Sequence, residues 1–226
     1  MLYRSKGIVL NFIRYRESSI IVKIYTELFG IRSYIVNGVR NMKTSKIALY
    51  QPLNLVDLVV YENPKAEIQR IAEIHLLIPY QTIPFFPYKI SSSFFITEVL
   101  SKSLKEETGN TELFEFLWDS LLVFDKLEKC ANFHLQFLFK LSEFLGFAIH
   151  KASELQEQFA RANYTFYHQE YNETIEQLIH YSYETIIPLH GKARSDIAEY
   201  ILLLYRLHLA NFGELQSLKI LKELHQ

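Results

Sequence analysis

The chain has 226 residues, of which 49% are hydrophobic and 22% charged, and its formal net charge is −1 at pH 7. This composition is that of a globular protein, and no apolar run approaches the ~20 residues that span a bilayer. The N-terminus lacks the apolar region and cleavage site of a secretory signal, and the single cysteine, Cys130, excludes an intramolecular disulfide. We therefore expect a cytoplasmic protein without a membrane association.

The first eighty residues predict five short strands. Apolar or β-branched runs lie at 7–10, 18–26, 31–36, 53–61 and 66–74. Gly30 stands in the short loop between the second and third runs, as in a hairpin. The fifth run is ambiguous, because Ile68, Ile71 and Ile74 recur every three residues and fit a short helix nearly as well. Five such strands suit the OB-fold, a small barrel that commonly binds nucleic acid.

Helical periodicity replaces the strand pattern after a cluster of prolines at Pro79, Pro84 and Pro87. Apolar residues with helical spacing predict helices at 88–106, 111–127, 130–145, 172–185 and 193–212, and a short last helix from about Glu214. The predicted fold class is therefore α+β. An OB-fold domain occupies residues 1–80, and an α-helical bundle domain occupies residues 81–226.

Charge is distributed unevenly between these two parts. Residues 1–50 contain nine Lys or Arg and two acids, a net +7, whereas residues 81–226 contain 13 Lys or Arg and 19 acids, a net −6. A basic end on an acidic body predicts a surface that binds a polyanion. The segment "NGVRNMKTSK" (37–46) has three cations and no acid, so a role in binding is favoured over a merely solvated loop.

Aromatic and basic residues alternate just before the second strand, in "NFIRYRE" (11–17). Arginines can hold phosphates while a tyrosine stacks on a base, as in proteins that bind single strands. Tyr15 fits a place in the barrel wall equally well. The residues predicted to bind nucleic acid are Lys6, Arg14, Tyr15, Arg16, Lys23, Arg32, Arg40, Lys43 and Lys46.

Motifs for catalysis and metal binding are missing from the sequence. There is no nucleophile elbow and no glycine-rich phosphate loop, and Gly191-Lys192 lacks the rest of a Walker motif. Cys130 is expected in the first turn of a helix, with a packing or surface role, and the eight histidines lack metal-ligand spacing. We expect a protein that is not an enzyme and has no metal or cofactor.

The N-terminal segment resembles the N-terminal domain of the RecO family of bacterial DNA-repair proteins. The family pattern has a glycine in the first strand, a Glu-Ser pair, a T-x-x-x-G turn, a G-x-R loop and a Q-P dipeptide. The matching residues are Gly7, Glu17-Ser18, Thr26 with Gly30, Gly38 with Arg40, and Gln51-Pro52. Weaker similarity follows at 113–122, 141–147 and 212–221 and extends the resemblance over nearly the whole chain.

The resemblance implies an OB-fold, a helical domain and a mediator of DNA repair and recombination. Such proteins bind single- and double-stranded DNA and anneal complementary strands. They act with RecR on DNA covered by single-strand-binding protein, whose C-terminal tail they contact, and help to load a RecA-type recombinase. Many members also carry a four-cysteine zinc module, but residues 148–168 contain no cysteine, so we expect no zinc module here.

An acidic, aromatic-ended tail needs a groove that combines a cation with apolar walls. The sequence leaves open which cation of the helical domain would bind this tail. The candidates are Lys89, Lys102, Lys105, Lys140, Lys151, Arg161, Lys192, Arg194 and Arg206. The alternative function is a non-catalytic scaffold whose OB-fold binds a protein or RNA. The two hypotheses differ in the cations, which a DNA-binding protein gathers on one face of the barrel and a scaffold can disperse.

Overall fold

The structure, a computed structural model, describes residues 1–39, 46–63, 65–105, 108–164 and 168–224, with side chains described as far as Leu221. The strands are β1 (Leu2–Tyr15), β2 (Ser19–Thr26), β3 (Gly30–Val36), β4 (Leu55–Tyr61) and β5 (Ile68–Ile78). The helices in the described ranges are α1 (Pro87–Ser103), α2 (Thr111–Lys126), α3 (Phe133–Phe144), α4 (Ala152–Arg161), α5 (Asn172–His180), α6 (Gly191–His208) and α7 (Ser217–Leu224). This order confirms the predicted α+β class.

The five strands close into a barrel in the order β1-β2-β3-β5-β4. All neighbours are antiparallel except β3 and β5, which pair in parallel over only three residues each, from Ser33–Ile68 to Ile35–Arg70. A five-stranded barrel with this order is the OB-fold, as the sequence predicts. The short β3–β5 ladder is where the barrel wall is least continuous.

β1 is much longer than the predicted strand at 7–10. Residues 2–8 pair with β4 and residues 7–15 pair with β2, and the ladder with β2 is irregular between Val9 and Asn11. Such a bulge bends the strand, so that one strand can take part in two sides of a small barrel. The sequence hides this length because Arg4, Lys6 and Asn11 interrupt the apolar pattern.

The barrel core consists of residues that alternate along the strands, such as Val22, Ile24 and Leu58, all fully buried. Gly7 faces this core, and a Cβ there would lie 2.7 Å from Ile24 Cγ2 and 2.9 Å from Leu58 Cδ1. Real side chains do not tolerate such distances, so glycine is required at this point of β1.

The ambiguous fifth run is a strand, and the structure explains its period of three. Opposite β5, the ladder with β4 is irregular, because Val59 pairs with Glu73 whereas the next residue, Val60, pairs with Ile71. The extra residue lets Ile71 and Ile74 both pack against the barrel core. The bulge therefore gives Ile71 and Ile74 a spacing of three on one side of the strand, whereas Ile68 is exposed.

The chain forms two compact units that differ from a simple division at residue 80. The first combines residues 1–81 with 96–122, and the second combines residues 82–95 with the described residues from 123 onwards. In the first unit the ring of Tyr25 stacks on Phe114 at 6.1 Å, and Asn11 Nδ2 donates to Ser101 Oγ at 3.1 Å. Helical residues thus cover part of the outer barrel wall, and an independent domain boundary at 80 stays a prediction.

The second unit contains one helix that the sequence reading did not predict. α4 is amphipathic and buries Ala152, Leu155 and Phe159, whose spacing of three and four residues was a usable signal in a short segment. α5 ends at His180 instead of 185, and α3 begins at Phe133, so Cys130 precedes that helix. None of the described helices is long and apolar enough to cross a membrane.

Candidate nucleic-acid interface

The turn between β1 and β2 brings three of the predicted residues together. Arg14 and Arg16 are exposed, and Tyr15 between them is half-buried. Arg16 has a positive φ of 51°, and its guanidinium carbon lies 5.2 Å from the centre of the Tyr15 ring. A left-handed backbone is uncommon for arginine, and here it accompanies a cation–π contact. Two cations and an aromatic ring therefore occupy one end of the barrel.

Lys23 and Arg32 lie on opposite sides of the barrel wall. Lys23 alternates with the buried Val22 and Ile24 and therefore faces outwards, half-exposed, as its place in the sequence suggested. Arg32 pairs with Ile24 in the ladder and so shares its inward direction. The Arg32 Nε atom lies 3.7 Å from Glu62 Oε2, which makes Arg32 less available to a ligand than Lys23.

The same glutamate also binds Tyr34. Its Oε1 accepts a hydrogen bond of 3.2 Å from the Tyr34 hydroxyl, inside the barrel wall. Burial raises the pKa of Tyr34 above its ordinary value, and the Glu62 carboxylate raises it further. Arg32, Tyr34 and Glu62 form a small structural network at the end of β4.

The remaining predicted cations are spread more widely. Lys6 is exposed, with its Nζ 5.7 Å from the centre of the Trp118 ring, and Lys46 is exposed at the start of a short 3₁₀ helix, Lys46–Tyr50. Arg40 and Lys43 lie outside the described residues. Among the predicted residues that the structure describes, Arg14, Tyr15 and Arg16 lie together, and Lys6, Lys23, Arg32 and Lys46 lie apart from them.

A cleft of about 610 Å³ opens beside β5, just beyond its short ladder with β3, and we call it the β3–β5 cleft. The lining that we use below consists of Val36, Asn37, Lys46, Arg70 and His75, with Tyr50 and Ile74 at its floor. Of its polar side chains, the sequence pattern predicts a role in binding only for Lys46. Arg70 and His75 do not stand out, because the inward and outward positions of β5 cannot be assigned from a segment that fits a helix nearly as well as a strand.

A second cleft, of about 470 Å³, lies in the helical unit, and we call it the helical cleft. Tyr88, Phe133, Tyr183 and Ile187 supply apolar walls, and Lys129 and Arg194 supply cations. Burial raises the pKa of the Cys130 thiol, which also lines the cleft, to about 11. The thiol is therefore neutral at physiological pH and unsuited to nucleophilic attack.

Side chains hold one wall of the helical cleft in place. Asn132 Nδ2 donates to the carbonyl of Ile187 at 2.7 Å, and Arg194 donates to Asn132 Oδ1 at 3.0 Å and to the carbonyl of Leu189 at 2.5 Å. Residues 181–190 have no regular backbone ladder, so these bonds replace one. In the part of the chain that the structure describes, no three His, Cys, Asp or Glu residues come close enough to hold a metal ion.

The structure combines an OB-fold barrel, which has cations around an aromatic residue at one end, with a helical region. OB-fold barrels of this kind form a class of nucleic-acid-binding proteins. Comparison with known proteins makes the class specific. Residues 1–80 match the family model "Recombination protein O N terminal", and residues 87–186 match "Recombination protein O C terminal". The chain belongs to the RecO family, and it is a DNA-repair and recombination protein of that family.

Curated relatives agree over nearly their whole length. The chain is 36% identical over 241 aligned positions to the DNA repair protein RecO of Bacteroides fragilis, with 99% of each chain covered. It is 33% identical to that of Phocaeicola vulgatus and 30% identical to that of Flavobacterium psychrophilum, again with 99% of each chain covered.

Proposed function

We propose that this protein is a recombination mediator that binds single- and double-stranded DNA and anneals complementary strands. With RecR, it would help to load a RecA-type recombinase onto DNA covered by single-strand-binding protein. The observation that carries the DNA-binding part is the group of Arg14, Tyr15 and Arg16 at one end of the barrel. This group belongs to a segment, residues 1–50, with a net charge of +7.

The position of this group supports the proposal, because OB-folds bind oligonucleotides on the face of strands 2 and 3 and on the loops that follow strands 1 and 4. Arg14–Arg16 stand at the first of those loops, and Lys23 faces outwards from β2. Exposed Lys65 stands in the loop after β4. These residues would contact phosphates, and the ring of Tyr15 would stack on a base once Arg16 moved to a phosphate.

Annealing follows from the same charges. Two complementary strands repel each other, and a surface that neutralises phosphates on each strand lowers the cost of bringing them together. No covalent step is needed, so we propose that the protein is not an enzyme. We also place its action in the cytoplasm, at the nucleoid.

The helical cleft supports the partner part of the proposal. Several cations that the sequence left open are engaged elsewhere, since Lys89 is buried and Lys102 and Arg161 pair with Glu98 and Glu157. Arg194 is the one of that set that lines the helical cleft in the described residues. A cation beside apolar walls suits the acidic, aromatic-ended tail of single-strand-binding protein.

Strand annealing tests the proposed function. Two complementary labelled oligonucleotides would be mixed with the protein, and the rate of duplex formation measured by energy transfer. We expect the wild type to accelerate annealing and the double variant Arg14→Ala/Arg16→Ala to lose most of that acceleration. Arg161→Ala, an exposed charge loss in the helical unit, is the matched control and should anneal like the wild type. A wild type that neither binds nor anneals DNA would favour the scaffold hypothesis.

A further inference from the structure

The β3–β5 cleft owes its existence to the shortness of one ladder. β3 and β5 pair only as far as Ile35 and Arg70, but β5 continues to Ile78. β3 ends one residue later, at Val36, and beyond Arg70 this edge of β5 faces the cleft without a strand partner in the described residues. Such an edge leaves backbone N–H groups open to a ligand.

The floor of the cleft is apolar and belongs to the barrel core. Val39 and Tyr50 are almost completely buried, and Ile71 and Ile74 pack against the same core from β5. The partly exposed side chains of Ile71 and Ile74 offer an apolar contact surface to the face of an unpaired base. A base in a duplex is stacked on its neighbours and cannot reach such a floor.

The rim is cationic. Lys46 stands on one side and Arg70 on the other, both exposed, and His75 lies further along β5. Glu73 is the acid of this rim, and it lies near Arg4. The rim therefore matches a phosphodiester backbone better than an acidic or apolar peptide.

The cleft also lies near the basic turn between β1 and β2. Arg14 pairs with Ile20, and Ile20 pairs with Val36, which lines the cleft, so these residues form one row across three strands. Three strands span roughly 10 Å. In addition, Ser19 Oγ donates to Asn37 Oδ1 at 2.9 Å and fastens the turn to the cleft wall.

We propose that the β3–β5 cleft is a binding site for one unpaired nucleotide of a single strand that also contacts Arg14–Arg16. Its base lies on the apolar floor, and Lys46 and Arg70 contact its flanking phosphates. The inference rests on the proposed DNA binding and adds a site that selects single strands over duplexes. Arg70 is the cation that this site adds to those predicted from the sequence to bind DNA.

The test compares Arg70→Ala and Lys46→Ala with the wild type in fluorescence-anisotropy titrations at several salt concentrations. We use an unstructured single-stranded oligonucleotide and a duplex of the same length. Arg161→Ala again serves as the control for loss of one exposed charge. Both substituted side chains are exposed, so the two variants should fold like the wild type.

Each variant should weaken single-strand binding roughly tenfold at low salt. Each should also lower the slope of log affinity against log salt by about 0.7, the value for one phosphate contact on a single strand. Duplex affinity should change by less than about twofold, because a paired base does not enter the cleft.

Two results would overturn the site. One is single-strand affinity and salt slope equal to those of the wild type in both variants, while Arg14→Ala lowers them. The other is an equal loss on single strands and duplexes, which would make the two cations general backbone contacts. A wild type that binds no DNA would instead refute the proposed function itself.

Discussion

Cations have different environments in the two units of this protein. At the end of the barrel, Arg14 and Arg16 are exposed to solvent and close together. In the helical unit, Lys89 is only 1% exposed, and its Nζ donates to the carbonyls of Phe124 and Asp125 at 2.8 and 2.9 Å. Similar donations join Lys140 to Ile179 and Arg194 to Leu189. The first group is exposed at the surface, whereas each cation of the second group donates to a backbone carbonyl of the fold.

For Lys89 and Lys140, the difference follows from the ends of the helices. The last carbonyls of a helix have no partner within it and carry partial negative charge, so a buried ammonium can satisfy them. Phe124 and Asp125 belong to the last turn of α2, and Ile179 belongs to that of α5. A count of charges in a sequence does not separate such structural cations from those that bind a ligand. Their environment does.

The largest expected effect is at Lys89. Its replacement in Lys89→Met leaves the carbonyls of the α2 terminus without their donor and should lower the free energy of unfolding by about 3 kcal/mol. Lys126→Met, an exposed cation at the end of the same helix, is the control and should cost less than about 0.5 kcal/mol. Urea denaturation measures both. Equal stabilities for the two variants would show that Lys89 is not a structural cation.

Periodicity predicted the number and order of the strands and most of the helices, because apolar spacing reflects which side of an element is buried. It could not reveal the bulge that brings Ile71 and Ile74 to one side of β5, since that depends on pairing with β4. It also could not show that Lys89 points inwards, because its partners are distant backbone carbonyls. At the candidate interface, the grouping of Arg14–Arg16 was visible in the sequence, but the inward direction of Arg32 was not.

A smaller effect is expected at Arg194, which donates hydrogen bonds within the fold and also lines the helical cleft. Arg194→Ala removes the bonds to Asn132 and Leu189 and should lower the free energy of unfolding by about 1–2 kcal/mol. It should also weaken binding of a peptide with the sequence of the tail of single-strand-binding protein, measured by calorimetry. DNA affinity should not change.

Lys192→Ala removes an exposed cation on the same helix and should leave stability, peptide binding and DNA affinity near wild type. Unchanged peptide binding in Arg194→Ala would remove the helical cleft from the partner proposal.

The smallest effect concerns the chemistry of the helical cleft. Burial raises the pKa of Cys130 to about 11, whereas the Lys89 ammonium lowers it in part. Since only the thiolate reacts, alkylation by iodoacetamide should be slow at pH 8 and should keep accelerating as the pH rises towards 11. An exposed thiol in a model peptide would level off near pH 9. Rapid alkylation of the native protein at pH 8 would contradict the buried, neutral thiol.

Salt dependence of single-strand binding tests the contrast between the two units most directly. Two double variants remove the same charge, one as Arg14→Ala/Arg16→Ala in the barrel and one as Lys140→Ala/Arg194→Ala in the helical unit. The first should lower the slope of log affinity against log salt by about 1.4, for two lost phosphate contacts. The second should leave the slope at the wild-type value while lowering stability. Equal slopes for the two double variants would contradict the assignment of DNA binding to the end of the barrel.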